Sequence, residues 1–87
     1  MNKKIVFQGR GWDDYQYWIL TDKKVLKKIN ELLRDIDRNG NTGIGKPEPL
    51  KNELSGFWSR RITGEHRLIY GMDEQNIYIA KCKGHYK

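Results

Sequence analysis

Residues 57–70, with the sequence FWSRRITGEHRLIY, decide the fold because they contain two runs of strand-forming residues separated by a glycine. Aromatic, β-branched and other apolar residues recur in 57–63 and 66–72, and Gly64 lies where the chain must turn. A third such run follows at 77–82, after the turn-forming segment DEQN at 73–76. This part of the chain therefore predicts three antiparallel strands joined by two hairpins.

The register of the first hairpin decides whether two arginines can act together. If residues 63–65 form a three-residue loop, Arg61 lies directly opposite Arg67 on one face of the sheet. A two-residue turn at 64–65 would instead place them on opposite faces. The sequence permits both registers. We favour the first, because two facing guanidiniums make most sense when an anion sits between them.

The N-terminal half predicts one strand and two helices. The apolar run 4–7 predicts a short strand that stops before Gly9 and Gly11, and helical spacing follows as far as Thr21. Thr21 can cap a second helix, which is apolar on one side and stops at Asn39-Gly40-Asn41. The apolar positions are Trp12, Tyr15, Trp18 and Ile19 in the first helix, and Val25, Leu26, Ile29, Leu32, Leu33 and Ile36 in the second.

The complete pattern, β-α-α-β-β-β, predicts an α+β fold in which two N-terminal helices pack on a small antiparallel sheet. A chain of 87 residues has room for one domain, which we expect to span 1–87. The single Cys82 can form no intrachain disulfide, which favours a reducing compartment. Its place in an apolar run favours a position in the core. The first apolar run is too short for a signal sequence and no segment is long enough to cross a bilayer, so we expect a cytoplasmic protein.

The formal net charge of +6 indicates a polyanionic partner, either nucleic acid or an acidic protein. Charge alone does not distinguish a nuclease from a binding protein. The histidines, cysteine and carboxylates match no metal-binding motif, and the glycines at 9–11 and 43–45 lack the rest of a nucleotide-binding pattern. We therefore expect neither a metal nor another cofactor.

Metal-independent RNA cleavage requires a base for the 2′-hydroxyl, a cation for the phosphorane and an acid for the leaving 5′-oxygen. Glu48, between two prolines in the predicted loop 41–54, Arg67 in an apolar run, and His85 near the C-terminus can supply these groups. Each also has a simpler interpretation. A loop glutamate is usually solvated surface, Arg67 could form a salt bridge with Glu65 or Glu48, and a histidine near the C-terminus is usually exposed and frayed.

Short motifs in a fixed order cover nearly the whole chain. They are WDDY at 12–15, YW at 17–18, KKINEL at 27–32, KPEPLK at 46–51, LSGFWSRRIT at 54–63, EHRLIY at 65–70 and a closing HY at 85–86. This ordered set resembles the Txe/YoeB toxins of the RelE superfamily. The resemblance implies a RelE-like fold and a bacterial type II toxin. Such a toxin cleaves messenger RNA in the ribosomal A site, leaves a 2′,3′-cyclic phosphate and a 5′-hydroxyl, and is neutralised by a YefM-like antitoxin. The resemblance allows a homodimer but does not decide the oligomeric state.

The resemblance also implies a role for each of six residues. They are Glu48 as general base, Arg67 at the scissile phosphate, His85 as general acid, Lys51 and Arg61 as further phosphate contacts, and Tyr86 to orient the substrate or stack on a base. Lys87 extends the chain beyond the His-Tyr pair that closes the shorter members of the family. We expect His66 and Trp58 to be structural.

Two other classes of function share much of this pattern. A non-catalytic inhibitor that binds RNA or the ribosome would keep the basic surface and tolerate the loss of His85. An antitoxin-binding subunit of an autoregulatory repressor would need the surface but neither acid nor base. Mapping of messenger ends after induction, with and without Glu48→Ala, distinguishes these classes from a nuclease.

Overall fold

The computed structural model describes residues 1–85, which form two helices and one five-stranded sheet. The predicted α+β class is confirmed. The helices are α1 (Gly9–Thr21) and α2 (Lys23–Asn39). The strands are β1 (Lys4–Phe7), β2 (Glu48–Pro49), β3 (Trp58–Arg61), β4 (Arg67–Met72) and β5 (Asn76–Lys81), and a short 3-10 turn spans Asn52–Leu54. No helix in the described part of the chain is long and apolar enough to cross a membrane.

The strands are arranged in the order β1-β5-β4-β3-β2. Three of the four pairings are antiparallel, as predicted, whereas β1 lies parallel to β5. A parallel neighbour needs a long crossover connection, and α1 and α2 follow β1 in the chain before any other strand. The sheet is therefore mixed rather than purely antiparallel. The two-residue strand β2, inside the segment predicted as a loop, forms the other edge.

The boundary between the two helices differs from the prediction by one residue. Asp22, and not Thr21, is the N-cap of α2, because its Oδ1 accepts hydrogen bonds from two backbone N–H groups in the first turn. Thr21 is instead the last residue of α1. The predicted end of α2 is confirmed: Asn39 is its last residue, and Gly40 follows with φ of +69°, which glycine adopts without strain.

The first helix lies very close to β5. It begins at Gly9, within the glycine pair that was expected to precede it. A Cβ atom on Gly11 would lie 2.2 Å from the carbonyl oxygen of Ile79, so only glycine fits at this contact. At Gly9 a Cβ would meet nothing within 4 Å. The contact between Gly11 and Ile79 therefore sets the distance between α1 and the sheet.

The core fills the space between the helices and one face of the sheet. Trp58 packs against it, as predicted, and Cys82 is fully buried in it. Burial raises the pKa of the Cys82 thiol to about 12, so the nucleophilic thiolate is disfavoured at neutral pH. The buried core residues are Trp18, Val25, Ile29, Leu32, Leu33, Ile36, Ile62, Leu68, Tyr70, Ile77, Ile79 and Cys82.

One charged side chain is also completely buried on this side of the sheet. Arg60 in β3 is 0% exposed. Its guanidinium donates hydrogen bonds to the carboxylate of Asp35 in α2, to the hydroxyl of Tyr70 and to the carbonyl oxygens of residues 40, 42 and 44. The hydrogen bond from Arg60 lowers the pKa of the Asp35 carboxyl. This buried ion pair connects α2, the sheet and the loop that follows α2.

We expect Gly11→Ala to lower the free energy of unfolding by about 1–3 kcal/mol, the usual cost of overpacking a dense contact. The reason is that the new methyl group must displace backbone atoms of β5, not a flexible side chain. Gly9→Ala, in the same helix but facing open space, is the matched control and should change stability by less than about 0.5 kcal/mol. Thermal unfolding measures both. Equal melting temperatures for the two variants would contradict the close contact.

The ion pair between Arg60 and Asp35 should make stability depend on acid pH. The folded-state pKa of Asp35 lies below its usual 3.8, so the pair stabilises fully above about pH 4 and loses its contribution as the pH falls through the folded-state value. Asp35→Asn should cost about 3 kcal/mol at pH 7, because a buried guanidinium loses its counter-charge. The variant should also show a shallower loss of stability below pH 4.

Chemical denaturation at a series of pH values tests this expectation. Asp13→Asn, at an exposed carboxylate of α1, controls for the general effect of removing a negative charge. If wild type and Asp35→Asn lose stability in parallel below pH 4, the ion pair does not carry the acid dependence.

Candidate active site

Arg61 and Arg67 lie directly opposite each other in the hairpin of β3 and β4. The favoured register is confirmed, because the backbone N–H of Ile62 donates to the carbonyl of His66 at 2.9 Å and closes the three-residue loop. The backbone N–H groups of the two arginines point away from each other, to carbonyls outside the hairpin at 2.7 and 3.0 Å. The arginines therefore form a non-hydrogen-bonded pair, in which Cα atoms lie only about 4.5 Å apart.

Strand alternation places the charged residues on the face of the sheet that points away from the helices. Glu48 in β2 pairs with Ser59 in β3, and Arg61 lies two residues further along β3 on the same face. Arg67 shares that face because it pairs with Arg61. Arg60, between Ser59 and Arg61, points to the helices. Glu48 and Arg61 are diagonal neighbours on adjacent strands, a spacing of roughly 7–8 Å.

The guanidinium of Arg67 turns towards the loop of the hairpin. Its Nη1 donates to the carbonyl oxygens of Thr63 at 2.8 Å, His66 at 3.1 Å and Gly64 at 3.3 Å. Arg67 is half-buried, whereas Arg61 is exposed. Carbonyl groups are neutral, so these three contacts orient the Arg67 side chain but do not cancel its charge. The arginine pair thus concentrates positive charge on the open face.

Glu48 lies at the edge of the sheet beside an open depression of about 360 Å³. The segment around it is anchored, because Leu50 is buried and its N–H donates to the carbonyl of Phe57 at 2.9 Å. Lys46 and Asn52, on either side, have φ of +52° and +57°, a left-handed conformation that is uncommon for residues other than glycine. The depression is lined by Glu48, Pro49, Leu50, Lys51, Asn52 and Leu54.

His85 is exposed and is the last residue that the structure describes. It follows Gly84, whose carbonyl accepts a hydrogen bond from the backbone N–H of Arg67 at 3.0 Å. His85 therefore lies beside the end of β4 that carries Arg67. Tyr86, predicted to contact the substrate, and the additional Lys87 lie outside the described residues.

Lys81 is a residue of this face that the sequence analysis missed. It pairs with Ile69 in β4, two residues from Arg67, and so shares the open face with the arginines. Its Nζ donates to the carbonyl oxygen of His85 at 3.2 Å. The signal was a lysine within the apolar run 77–82, because a charge in a central strand needs a partner or an open face.

His66 makes the structural contacts that were predicted. Its ring packs edge-on against Trp18, with the ring centroids 4.8 Å apart. Its Nδ1 accepts a hydrogen bond from the backbone N–H of Gly84 at 2.8 Å. His66 therefore connects the core to the segment that precedes His85.

The open face combines one carboxylate, a pair of facing guanidiniums and the ammonium group of Lys81, with Lys51 in the adjoining depression and an imidazole on the neighbouring segment. Residues 1–85 contain no group of three or more His, Cys, Asp or Glu side chains that could bind a metal ion. An arrangement of this kind can bind phosphate through charge-assisted hydrogen bonds, and its carboxylate and imidazole can transfer protons.

Comparison with known proteins relates this arrangement to a family of toxins. A family model described as YoeB-like toxin of bacterial type II toxin-antitoxin system matches residues 7–86. The chain is 55% identical to toxin YoeB of Escherichia coli over 83 residues, which are 95% of this chain and 99% of that protein. It is 48% identical to toxin YoeB of Streptomyces coelicolor over 83 residues, with the same coverage of 95% and 99%.

Solved structures agree with this relationship. A structure of a YoeB dimer from Staphylococcus aureus matches with a TM-score of 0.94 at 54% identity, over 99% of this chain and 100% of that one. A chain of the heterotetrameric YoeB-YefM toxin-antitoxin complex from Staphylococcus aureus matches with a TM-score of 0.91 at 54% identity, again over 99% and 100%. YafQ from Escherichia coli shares the fold alone, with a TM-score of 0.78 at 16% identity over 95% and 93%. This chain belongs to the YoeB family of bacterial type II toxins, in the RelE/ParE superfamily.

Proposed function

We propose that this toxin is a ribosome-dependent endoribonuclease, an mRNA interferase, which inhibits translation by cleaving messenger RNA in the ribosomal A site without a metal. The observation that carries the proposal is the direct pairing of Arg61 with Arg67 on the sheet face that also bears Glu48. Two cations in direct opposition destabilise a sheet. They become favourable when one phosphate accepts hydrogen bonds from both. Membership of the YoeB family supports the same reaction.

Glu48 is the general base of this reaction. It takes the proton of the 2′-hydroxyl, whose oxygen then forms a bond to the adjacent phosphorus. The carboxylate is exposed at the edge of the sheet and borders the open depression, so it is accessible to a ribose. Its two proline neighbours restrict the backbone around it. A base positioned in this way contributes about 10²- to 10⁴-fold to the rate.

Arg67 and Arg61 stabilise the charge that develops on the phosphorane. A guanidinium presents a planar fork of N–H donors that matches two phosphate oxygens. The three carbonyls around Nη1 fix the Arg67 side chain before substrate arrives, which is the condition for effective electrostatic stabilisation. Lys51, in the depression beside Glu48, contacts a neighbouring phosphate of the same strand.

His85 is the general acid. It protonates the 5′-oxygen as the bond from phosphorus to that oxygen breaks, which leaves a 2′,3′-cyclic phosphate and a 5′-hydroxyl. Imidazole is suited to this step because it exchanges protons near neutral pH. Tyr86, outside the described residues, would stack on a base of the messenger or orient it.

The same cationic face explains how a partner could neutralise the toxin. Two of the similar solved structures are a YoeB-YefM complex and a YoeB dimer. We infer that this chain, too, binds a YefM-like antitoxin that is acidic where it meets Arg61, Arg67 and Lys51, and that it forms a homodimer. Its action on ribosomes and messenger RNA would take place in the cytoplasm.

Single-turnover cleavage of a message on programmed ribosomes tests the catalytic assignment. We expect Glu48→Gln and His85→Gln each to slow cleavage by about 10²- to 10⁴-fold, because each removes a positioned proton acceptor or donor. Glu53→Gln, at an exposed glutamate of the neighbouring 3-10 turn, is the matched control and should cleave at the wild-type rate.

Near-normal cleavage by both variants would refute the acid-base mechanism. If they stop translation fully while the message stays intact, the toxin is instead a non-catalytic inhibitor that acts by occupying the ribosome. Primer extension on the recovered message separates these outcomes.

A further inference from the structure

Each residue of the segment 82–85 makes a hydrogen bond or a cation–π contact with the rest of the protein. Cys82 is fixed on both sides: its N–H donates to the carboxylate of Asp14 at 3.0 Å, and its carbonyl accepts from the indole N–H of Trp18 at 2.8 Å. The ammonium of Lys83 lies 4.3 Å from the centre of the Tyr17 ring. All three of these partners belong to α1, so α1 fixes the first half of the segment.

Gly84 is fixed by β4 and the residue before it. Its carbonyl accepts from the backbone N–H of Arg67 at 3.0 Å, and its N–H donates to Nδ1 of His66 at 2.8 Å. The φ of Gly84 is +78°, so the chain turns here in a conformation that favours glycine. The side chain of His66 therefore accepts a hydrogen bond from the backbone immediately before His85.

The imidazole of His66 is itself held in place. Its ring packs at 72° against Trp18, and Trp18 is buried in the core. Because Nδ1 accepts a hydrogen bond from the backbone N–H of Gly84, it carries no proton, and the N–H of the neutral ring is at Nε2. A ring packed on the core in this way offers its acceptor at a fixed point beside the segment.

We propose that His66 is a positioning residue of the active site, which fixes the backbone at Gly84 through Nδ1 and thereby sets the position of His85. This inference rests on the proposed role of His85 as general acid. His85 is exposed, and the backbone immediately before it is held by the two hydrogen bonds of Gly84. Arg67 in β4 donates its backbone N–H to the Gly84 carbonyl, and its side chain carries the guanidinium proposed to bind phosphate. Fixing Gly84 therefore fixes the acid relative to the phosphate.

Two substitutions separate the hydrogen-bond acceptor of His66 from its ring. His66→Asn places an amide oxygen where Nδ1 lies, and so keeps the acceptor but loses the ring. His66→Phe keeps an aromatic ring against Trp18 but has no acceptor. In single-turnover cleavage on programmed ribosomes, we expect His66→Phe to be slower by about 10- to 100-fold, the scale of a misplaced catalytic group. We expect His66→Asn to stay close to wild type, and the toxin concentration for half-maximal rate to stay unchanged in both.

A double-mutant cycle with His85→Gln distinguishes positioning from a general loss of structure. If His66 acts through His85, His66→Phe should cause no further loss in the His85→Gln background. Gly84→Ala perturbs the segment directly, because alanine is strained at a positive φ although its Cβ would meet nothing within 4 Å. This variant should slow cleavage in the same way as His66→Phe. Gly9→Ala, also facing open space, is its control. Hydrogen exchange of the Gly84 amide should speed up in His66→Phe and stay slow in His66→Asn.

The outcomes separate this inference from the proposed function. Wild-type cleavage by His85→Gln would overturn the acid role itself. Slow cleavage by His85→Gln with wild-type cleavage by His66→Phe would overturn only the positioning role. Equal losses in His66→Asn and His66→Phe, or additive losses in the cycle, would show that the acceptor at Nδ1 is not what places His85. Melting temperatures of all variants identify any rate loss that comes from unfolding.

Discussion

The guanidinium of Arg60 lies in the core, where it donates to one carboxylate, one hydroxyl and three backbone carbonyls. A buried charge is tolerated only with such partners, so Arg60 cannot leave the helix side of β3 without a large loss of stability. Side chains alternate along a strand, so Arg61 must then point to the open face. If the register of β3 shifted by one residue, the two arginines would exchange faces and the buried acceptors would lose their donor. The core thereby decides which arginine points to the open face.

The same arginine orders the chain that leads to Glu48. Three of its acceptors are carbonyls of residues 40, 42 and 44, and Gly45 follows with φ of +80°. A Cβ on Gly45 would lie 2.8 Å from the Leu32 side chain, and the Gly45 carbonyl accepts from the N–H of Arg61. The path from α2 to the edge strand is therefore set from the core outward. Core packing and the geometry of the candidate site are two results of one set of contacts.

Local patterns in the sequence predicted the helices and the hairpins, because periodicity and turn residues act over a few residues. They permitted two registers for the first hairpin, and only the charge argument favoured the one in which the arginines face each other. They did not predict the parallel pairing of β1 with β5, the contact at Gly11 or the burial of Arg60, since each depends on which distant segments meet. The hydrogen bond from Gly84 to His66 became visible only in three dimensions for the same reason, whereas Lys81 had a signal in the sequence that the analysis did not use. The resemblance implies six candidate site residues, and the structure shows that three of them, Glu48, Arg61 and Arg67, share one face of the sheet.

In the proposed reaction, the open face activates a ribose hydroxyl of the message next to a phosphate held between two arginines. The most direct test is a message with a single 2′-deoxy substitution at the nucleotide on the 5′ side of the cleaved bond, compared with the unmodified message on programmed ribosomes. The proposed mechanism predicts that cleavage at this bond disappears, while the unmodified message yields a 2′,3′-cyclic phosphate and a 5′-hydroxyl. Continued cleavage of the same bond in the deoxy message, or products with a 5′-phosphate, would contradict it.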